Sequence, residues 1–456
     1  MYQLPSNSKQ ALPKLRRLLP KSKGSRVAIL GVILVFLYIS IPRRPNSLLL
    51  SSNQCPQDAI ADSIVVAVKT GATEASEKIP ALMQTSLRCA KTVLFFSDLE
   101  QDIGPYHLHD ALETVVPEVK QQNSAFDFYQ KQQEAWRTNG NISAVKGMRD
   151  PESSNDLAAW TLDKYKNAHI LEKTWELAPD KEWYILVDAD TYLIWSNLLR
   201  WIPSLDSSKR TYFGSRVFIS NVPFAHGGSG TIFSKSLVYD FAVTHKGTAA
   251  RWDPEIHNLC CGDLVLCKAL NEYGNELVSI RPEMSGQKPS TMPFVSSYWC
   301  QPTFTLHHFS ATEMKELDAY ERGRGNPSAP LTHAEIFAEI VKDPLQAMPA
   351  IREDWDNLSW RNEMGSGLSG GEDEKVTTQS AEECAAACEA NTQCFQFVLD
   401  GQSCFLGKAI RLGEKRDPED GKRWQSGWNQ GRIADWAAKQ DACNDVEFPN
   451  WLERRG

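Results

Sequence analysis

The chain has 456 residues, 42% of them hydrophobic and 10% aromatic, which is enough for two or three domains with a large core. A net charge of −8 and a pI near 5.7 argue against a general nucleic-acid binder.

Charge is uneven along the chain. Residues 1–26 carry Lys9, Lys14, Arg16, Arg17, Lys21, Lys23 and Arg26 and no acid, which reads as a cytosolic tail. Residues 27–41, "VAILGVILVFLYISI", are uncharged and almost wholly apolar. At about 1.5 Å per residue this helix is short for a bilayer of about 30 Å. A signal-peptide h-region has this length, but no small-x-small cleavage site follows. A buried core helix would show an amphipathic face, and none is visible. The signal-anchor reading, a single transmembrane helix with the remainder lumenal, fits best, and its short span suits the thinner membranes of the early secretory pathway. All eleven cysteines lie beyond this run, as an oxidising lumen expects. The odd number leaves one thiol free or bridging two copies, so a covalent homodimer is open. Asn141 and Asn357 begin glycosylation sequons, which add little in a chain this long.

Residues 42–60 read as a stem. "SIVVAVKTG" (Ser63–Gly71) is a strand ending in a turn, "IPALMQTSLRC" a helix, and "AKTVLFFSD" (Ala90–Asp98) a second strand. Residues 101–156 read only as polar and surface-exposed. A helical pattern occupies 157–178, and the apolar run Trp183–Val187 is a buried strand followed by Asp188 and Asp190. "SNLLRWIPSL" begins another helix. The strand–helix–strand alternation predicts an α/β domain with a mainly parallel sheet, in which ligands bind at the carboxyl ends of strands. Asp188 and Asp190 fall at such an end, where burying carboxylates is costly unless a cation meets them. The cation is either a structural Arg or Lys or a metal. Asp-x-Asp can offer oxygens to Mn²⁺ or Mg²⁺, although the tripeptide alone is common in solvated loops.

Further along, Gly227, Gly228 and Gly230 permit close backbone approach or a simple turn. Asp263 opens an apolar helix in "CCGDLVLCKAL", where a plain N-cap is the structural explanation. His307 and His308 lie in the strand-like "TFTLHHFS"; alternation on a strand would send them to opposite faces, so at most one reaches a metal. Residues 364–379 are rich in Gly, Ser and charge and read as a linker before a cysteine-dense stretch, Cys384 to Cys404.

Taken in order, "VAVKTGATEASEKIPALMQTSLRCAKTVLFFSD", "YILVDADTYLIWSNLLRWI", "AHGGSGTIFSKSLV", "GDLVLCKAL" and "LHHFSATEMKELDAYE" resemble glycosyltransferase family 31, which includes the core 1 β1,3-galactosyltransferases and Fringe. The resemblance spans roughly residues 60–322. It implies a GT-A (Rossmann-like) domain over 61–345 in a single-pass type II Golgi membrane protein, with Mn²⁺ or another divalent cation and a UDP-sugar donor. It implies an inverting transfer of a hexose or N-acetylhexosamine, with β1,3 linkage, to a glycan or glycoprotein hydroxyl. By resemblance, Asp188, Asp190 and His307 hold the metal, with His308 the fallback, and Asp263 is the catalytic base. Thr70, Gly71, Asp98 and Lys164 are donor-site positions, and Gly227 and Gly228 lie near the sugar pocket. The chain departs from the family in having Asp188-Ala189-Asp190 where three acids are common, and Gly262 where a Glu precedes the base. The rival reading is a non-catalytic carbohydrate- or protein-binding protein on a degenerate transferase scaffold.

The segment "SAEECAAACEANTQCFQFVLDGQSCFLGKAIRLG" resembles a PAN/apple module, a small disulfide-stapled α+β domain assigned to 381–445, between a lead-in at 346–380 and a tail at 446–456. Cys384 and Cys388 lie one helical turn apart and face the same way. The resemblance implies nested pairs, Cys384–Cys404 and Cys388–Cys394. Cys267–Cys300 and Cys55–Cys89 are further expected bridges.

Overall fold

The computed structural model describes residues 55, 59–145, 157–326, 328–360, 374–378, 380–418 and 421–450. The expected anchor at 27–41 lies outside them, and among the described residues no helix is long and apolar enough to cross a membrane.

In chain order the strands of the first domain are β1 Ile64–Lys69, β2 Thr92–Ser97, β3 Gln101–Ile103, β4 Tyr106–Asp110, β5 Trp183–Asp188, β6 Tyr192–Leu193, β7 Tyr212–Gly214, β8 Arg216–Ile219, β9 Val222–Ala225, β10 Thr231–Ser234, β11 Leu277–Ser279 and β12 Thr305–Leu306. Eight form one sheet in the order β11-β7-β10-β5-β1-β2-β4-β3. The parallel centre expected from the sequence is present, with β1 parallel to β2 and β5, and β2 parallel to β4. The sheet is nevertheless mixed, because β10 runs antiparallel to β5 and β7.

β1 is buried along its whole length and β5 up to its last residue. Strands covered on both faces need continuous apolar runs, as "IVVAV" and "WYILV" provide. Helices Lys166–Leu177 and Gly262–Asn271 cover one face, burying Ile170, Leu171, Leu264, Leu266 and Leu270 against Val65, Ala67, Tyr184 and Leu186. Each such side chain contributes about 1.5–3 kcal/mol when removed from water. The register that this packing sets pairs Lys69 with Asp188 at the carboxyl ends of β1 and β5.

The segment 101–156, expected to be only surface, supplies β3, β4 and helices Pro117–Gln122 and Phe126–Arg137. Leu112, Val115, Phe126 and Phe128 form a second small core with Leu162, Tyr165 and Ile256. Its few apolar residues are spaced too widely to stand out among polar ones.

The C-terminal domain is a five-stranded antiparallel sheet of Ile351–Glu353, Gln425–Trp428, Gln396–Leu399, Cys404–Gly407 and Glu374–Val376, in that order, with helix Ala381–Ala390 packed on it. Residues 351–353, expected in a lead-in, are therefore a strand of this sheet. Cys384–Cys404 and Cys388–Cys394 form as the PAN resemblance implied. The Cys267–Cys300 expectation fails: Cys300 pairs with Cys443, 143 residues on, and Cys267 is the free thiol, buried in the helix Gly262–Asn271. A buried thiol gives no route to a covalent dimer. Cys260 and Cys261 bridge each other, and Cys55 and Cys89 are both disulfide-bonded. Of the sequons, Asn141 is exposed, but Asn357 is buried, with its Nδ2 donating to Phe397 O at 2.9 Å.

Candidate active site

The turn after β5 brings the first elements together. Ala189 N donates to Lys69 O and Thr191 N to Asp188 O, so Asp188 and Asp190 project from a tight bend at the strand ends. Phe309 N donates to Asp190 O at 3.1 Å, tying the His307-His308 segment to that bend. His307 Nε2 lies 3.1 Å from Asp190 Oδ1 and 3.9 Å from Asp188 Oδ2.

The pair Gly227-Gly228 joins the remaining parts. Gly227 N donates to Asp263 Oδ2 at 2.8 Å, and Thr191 Oγ1 donates to Gly228 O at 2.8 Å. Thr305 Oγ1 donates to Ser229 O, two residues before His307. A Cβ on Gly228 would overlap the His307 imidazole, and one on Gly227 would press on Asp263 at 3.3 Å. Close approach therefore requires a glycine at 228 and makes 227 a tight position. Asp263 is not the helix N-cap; Cys261 holds that place, and Asp263 turns its carboxylate back toward Gly227.

Atoms of Asp190, His307 and His308 that suit a metal lie within 4.8 Å of one another. Both histidines reach the same point because β12 ends at Leu306 and His308 has φ of 68°, which breaks the alternation expected of a strand. The Nδ1 of His307 is buried without a hydrogen-bond partner. Two imidazoles and a carboxylate suit a borderline or hard divalent cation, so the residues fit one. Asp188, also expected among the ligands, pairs through Oδ1 with Lys69, whose Nζ lies 3.2 Å away and also bonds Asp163.

Charge governs the pocket. Burial opposes the Lys69 ammonium, but Asp163 and Asp188 outweigh it and hold its pKa above the ordinary lysine value. Lys78 behaves alike: burial opposes its charge, and Asp190 at 3.3 Å with Glu74 at 2.9 Å outweighs that. Burial would raise Asp190, yet the His307 hydrogen bond and charge, with Lys78, keep it well below the carboxylate range. Asp188 and Asp263 are both pushed up by burial; Lys69 counters this at each, and the Gly227 N–H counters it further at Asp263. His226, hydrogen-bonded to Ser229 Oγ, is pushed down to about 3 by burial and by the charges of His307 and His308.

The donor-site expectations divide. Thr70 is buried, its carbonyl accepting from Lys166 Nζ, and Gly71 N donates to Glu74 Oε1 in the turn that starts helix Ala75–Gln84. Asp98 Oδ1 accepts from Ala72 N at 2.6 Å, while its Oδ2 is buried without a partner. Lys164 lies over the Trp160 ring, 4.8 Å from its centre; Lys166, two residues on, is the lysine that enters the cluster, 3.6 Å from Asp163 Oδ1. Gly262 has no room for the family's Glu, because a Cβ there would lie 2.9 Å from Asp163 O and 3.0 Å from Lys164 O.

Lys69, Lys78 and Asp163 carry much of this electrostatics and were missed in the sequence. The signal for Lys69 was present: a charge ending an apolar strand, the same pattern that singled out Asp188.

Residues 59–253 match the family model described as Fringe-like, and residues 361–411 match that of the PAN domain. The chain carries a Fringe-like glycosyltransferase domain and a PAN domain. The Fringe-like match takes in Lys69, Asp188, Asp190 and the Gly227-Gly228 pair; Asp263 and His307 lie beyond it and join the site through geometry alone. No curated protein sequence matches. Among solved structures, the chain is similar to a glycosyltransferase involved in glycosylating the major capsid of PBCV-1, at 14% identity and a TM-score of 0.29, covering 56% of this chain and 98% of that one.

The PAN domain packs on the Fringe-like domain. Besides Cys300–Cys443, Trp299 Nε1 donates to Asp441 O, Trp436 Nε1 to Ser296 Oγ, and Phe294 and Ile410 exchange backbone hydrogen bonds.

Proposed function

We propose that the chain is an inverting, metal-dependent transferase that moves a hexose or N-acetylhexosamine from a UDP-sugar to a hydroxyl of a glycan or glycoprotein, in β1,3 linkage. The carrying observation is that Gly227 and Gly228 bind Asp263 to one side and the Asp190–His307–His308 group to the other.

In this reading Asp263 accepts the proton of the acceptor hydroxyl as that oxygen bonds to the anomeric carbon, and the bond to the phosphate oxygen breaks with its electron pair leaving on UDP. A divalent cation at Asp190, His307 and His308 would supply positive charge to the diphosphate. Lys69 keeps Asp188 neutralised, and Lys78 sits beside Asp190 to add fixed charge near the leaving group. The buried Asp98 Oδ2, just beyond β2, is an acceptor without a protein partner. The disulfides support a lumenal location, and we propose the 27–41 run as the anchor of a type II Golgi protein.

The rival, a non-catalytic binding protein, draws on Lys78, whose ammonium already meets Asp190 at 3.3 Å. Hydrolysis of a panel of UDP-sugars without acceptor separates the two. Turnover of one donor, lost in Asp263→Asn, supports the transferase; no turnover of any donor, with glycan binding retained, supports the rival.

A further inference from the structure

A second group of side chains of metal-ligand type lies three strands from β5, on the edge hairpin of the sheet. His107 and His109 are two apart on β4, so both rings stand on one face, their centroids 4.7 Å apart. Glu100, in the loop between β2 and β3, points one oxygen between them: Oε1 lies 2.7 Å from His107 Nε2 and 3.7 Å from His109 Nδ1. One ligand-type atom from each of the three lies within 4.8 Å of the others.

What surrounds these atoms orients them. Glu100 Oε2 accepts from Asp110 N at 2.7 Å, which fixes the carboxylate and aims Oε1. Asp102, paired with His107 across the hairpin, accepts from His107 Nδ1 at 2.7 Å. That leaves Nε2 to face the shared point, the carboxylate–histidine arrangement that sets tautomer and orientation around a bound metal. The His109 ring is steadied against Phe96, its register partner on β2. Lys173, whose charge also reaches this cluster, is itself held by Glu113 Oε2 and Asp110 O. Zinc bonds to nitrogen and oxygen of about 2.0–2.2 Å put tetrahedral ligands about 3.3 Å apart, so Glu100 Oε1 would open slightly from His107 Nε2, now at 2.7 Å, and close slightly on His109 Nδ1, now at 3.7 Å.

We propose that Glu100 Oε1, His107 Nε2 and His109 Nδ1 form a binding site for Zn²⁺ or a similar borderline divalent cation, separate from the Asp190–His307–His308 group. Two imidazoles and one carboxylate with an open fourth position suit such an ion better than Mg²⁺ or Ca²⁺. The ion staples the Glu100 loop to β4. The same loop carries Asp98, which holds Ala72 N in the turn after β1, so the staple also steadies that turn.

The test uses the full chain, stripped of metal, with Zn²⁺ alone as titrant. His307→Ala/His308→Ala removes the other group, so the readout does not depend on the transferase reading. That protein is expected to bind one Zn²⁺, and adding His107→Ala/His109→Ala is expected to abolish the binding. Glu100→Gln, which keeps the hydrogen bond from Asp110, is expected to weaken it by about 10–100-fold. Thermal melts in chelator, unchanged among the three, show that folding is not the cause. If the His307→Ala/His308→Ala protein takes up no Zn²⁺, or if its affinity is indifferent to His107, His109 and Glu100, the cluster is an ion-pair network only and the proposal is overturned.

Discussion

Gly228 lies so close to His307 that a single methyl group cannot be placed between them. The contact makes the position of the imidazole depend on a backbone two segments away in sequence. Gly228→Ala is expected to push His307 off Asp190 and weaken Mn²⁺ activation by at least about tenfold, as loss of an orienting contact does at other metal sites. Mn²⁺ titrations of activity check this; unchanged activation by Mn²⁺ would separate His307 from the metal.

Asp263 sets the pH response. Burial raises its pKa, and a base must be ionised to act, so activity is expected to fall on acidification at a pH above the ordinary carboxylate range. Asp263→Asn should lower turnover by about 10²–10⁴-fold and leave UDP binding intact. A pH–rate profile of kcat/KM checks both; an acid limb at the ordinary carboxylate pKa, or a variant that still turns over, contradicts the assignment.

Glu321 governs a separate pH dependence, of stability. It accepts from Tyr192 Oη at 2.6 Å, and burial pushes its pKa up to about 7. The folded state therefore holds this proton more tightly than the unfolded chain. The stabilisation is complete below the ordinary glutamate pKa and is lost as pH rises through about 7, with a slope of at most about 1.4 kcal/mol per pH unit. Glu321→Gln should flatten that stretch of the stability curve, measured by denaturant unfolding at pH 5, 6, 7 and 8; an unaltered slope would show that the proton is held elsewhere.

The Cys300–Cys443 bridge closes a loop of 143 residues around the PAN domain. Replacing both cysteines by Ser should destabilise the chain by about 2–4 kcal/mol through the freed unfolded state. UDP-sugar turnover should change little, because neither cysteine lines the pocket that contains His226 and His308. Equal loss of stability and activity would instead make the PAN domain part of the active unit.

Much of the fold was legible because burial writes itself plainly into strands. "IVVAV" and "WYILV" read as strands, the structure covers both faces of each, and their ends locate the site. The pairing of Cys384 with Cys404 and of Cys388 with Cys394 was legible through the PAN resemblance alone; helical spacing says only that Cys384 and Cys388 face the same way. Other features were hidden for physical reasons. His308 joins His307 only because its backbone enters the left-handed region, which alternation on a strand cannot anticipate. Cys300 finds Cys443 through packing of two domains, which no local pattern encodes. The lysine of the cluster is Lys166 rather than Lys164, because the break between helices Leu157–Asp163 and Lys166–Leu177 rotates the face that meets Asp163. The Glu100–His107–His109 group needs a hairpin register to be seen at all.

The central claim is that Asp190, His307 and His308 grip a nucleotide through a divalent cation beside Asp263. The most direct measurement is the melting temperature of the protein with UDP, with and without Mn²⁺, in the native chain and in Asp190→Ala. The account expects UDP to stabilise the native chain only when Mn²⁺ is present, by an amount that grows with UDP concentration, and expects no such shift in Asp190→Ala. A shift that persists in Asp190→Ala, or that is absent from the native chain at saturating Mn²⁺ and UDP, contradicts it.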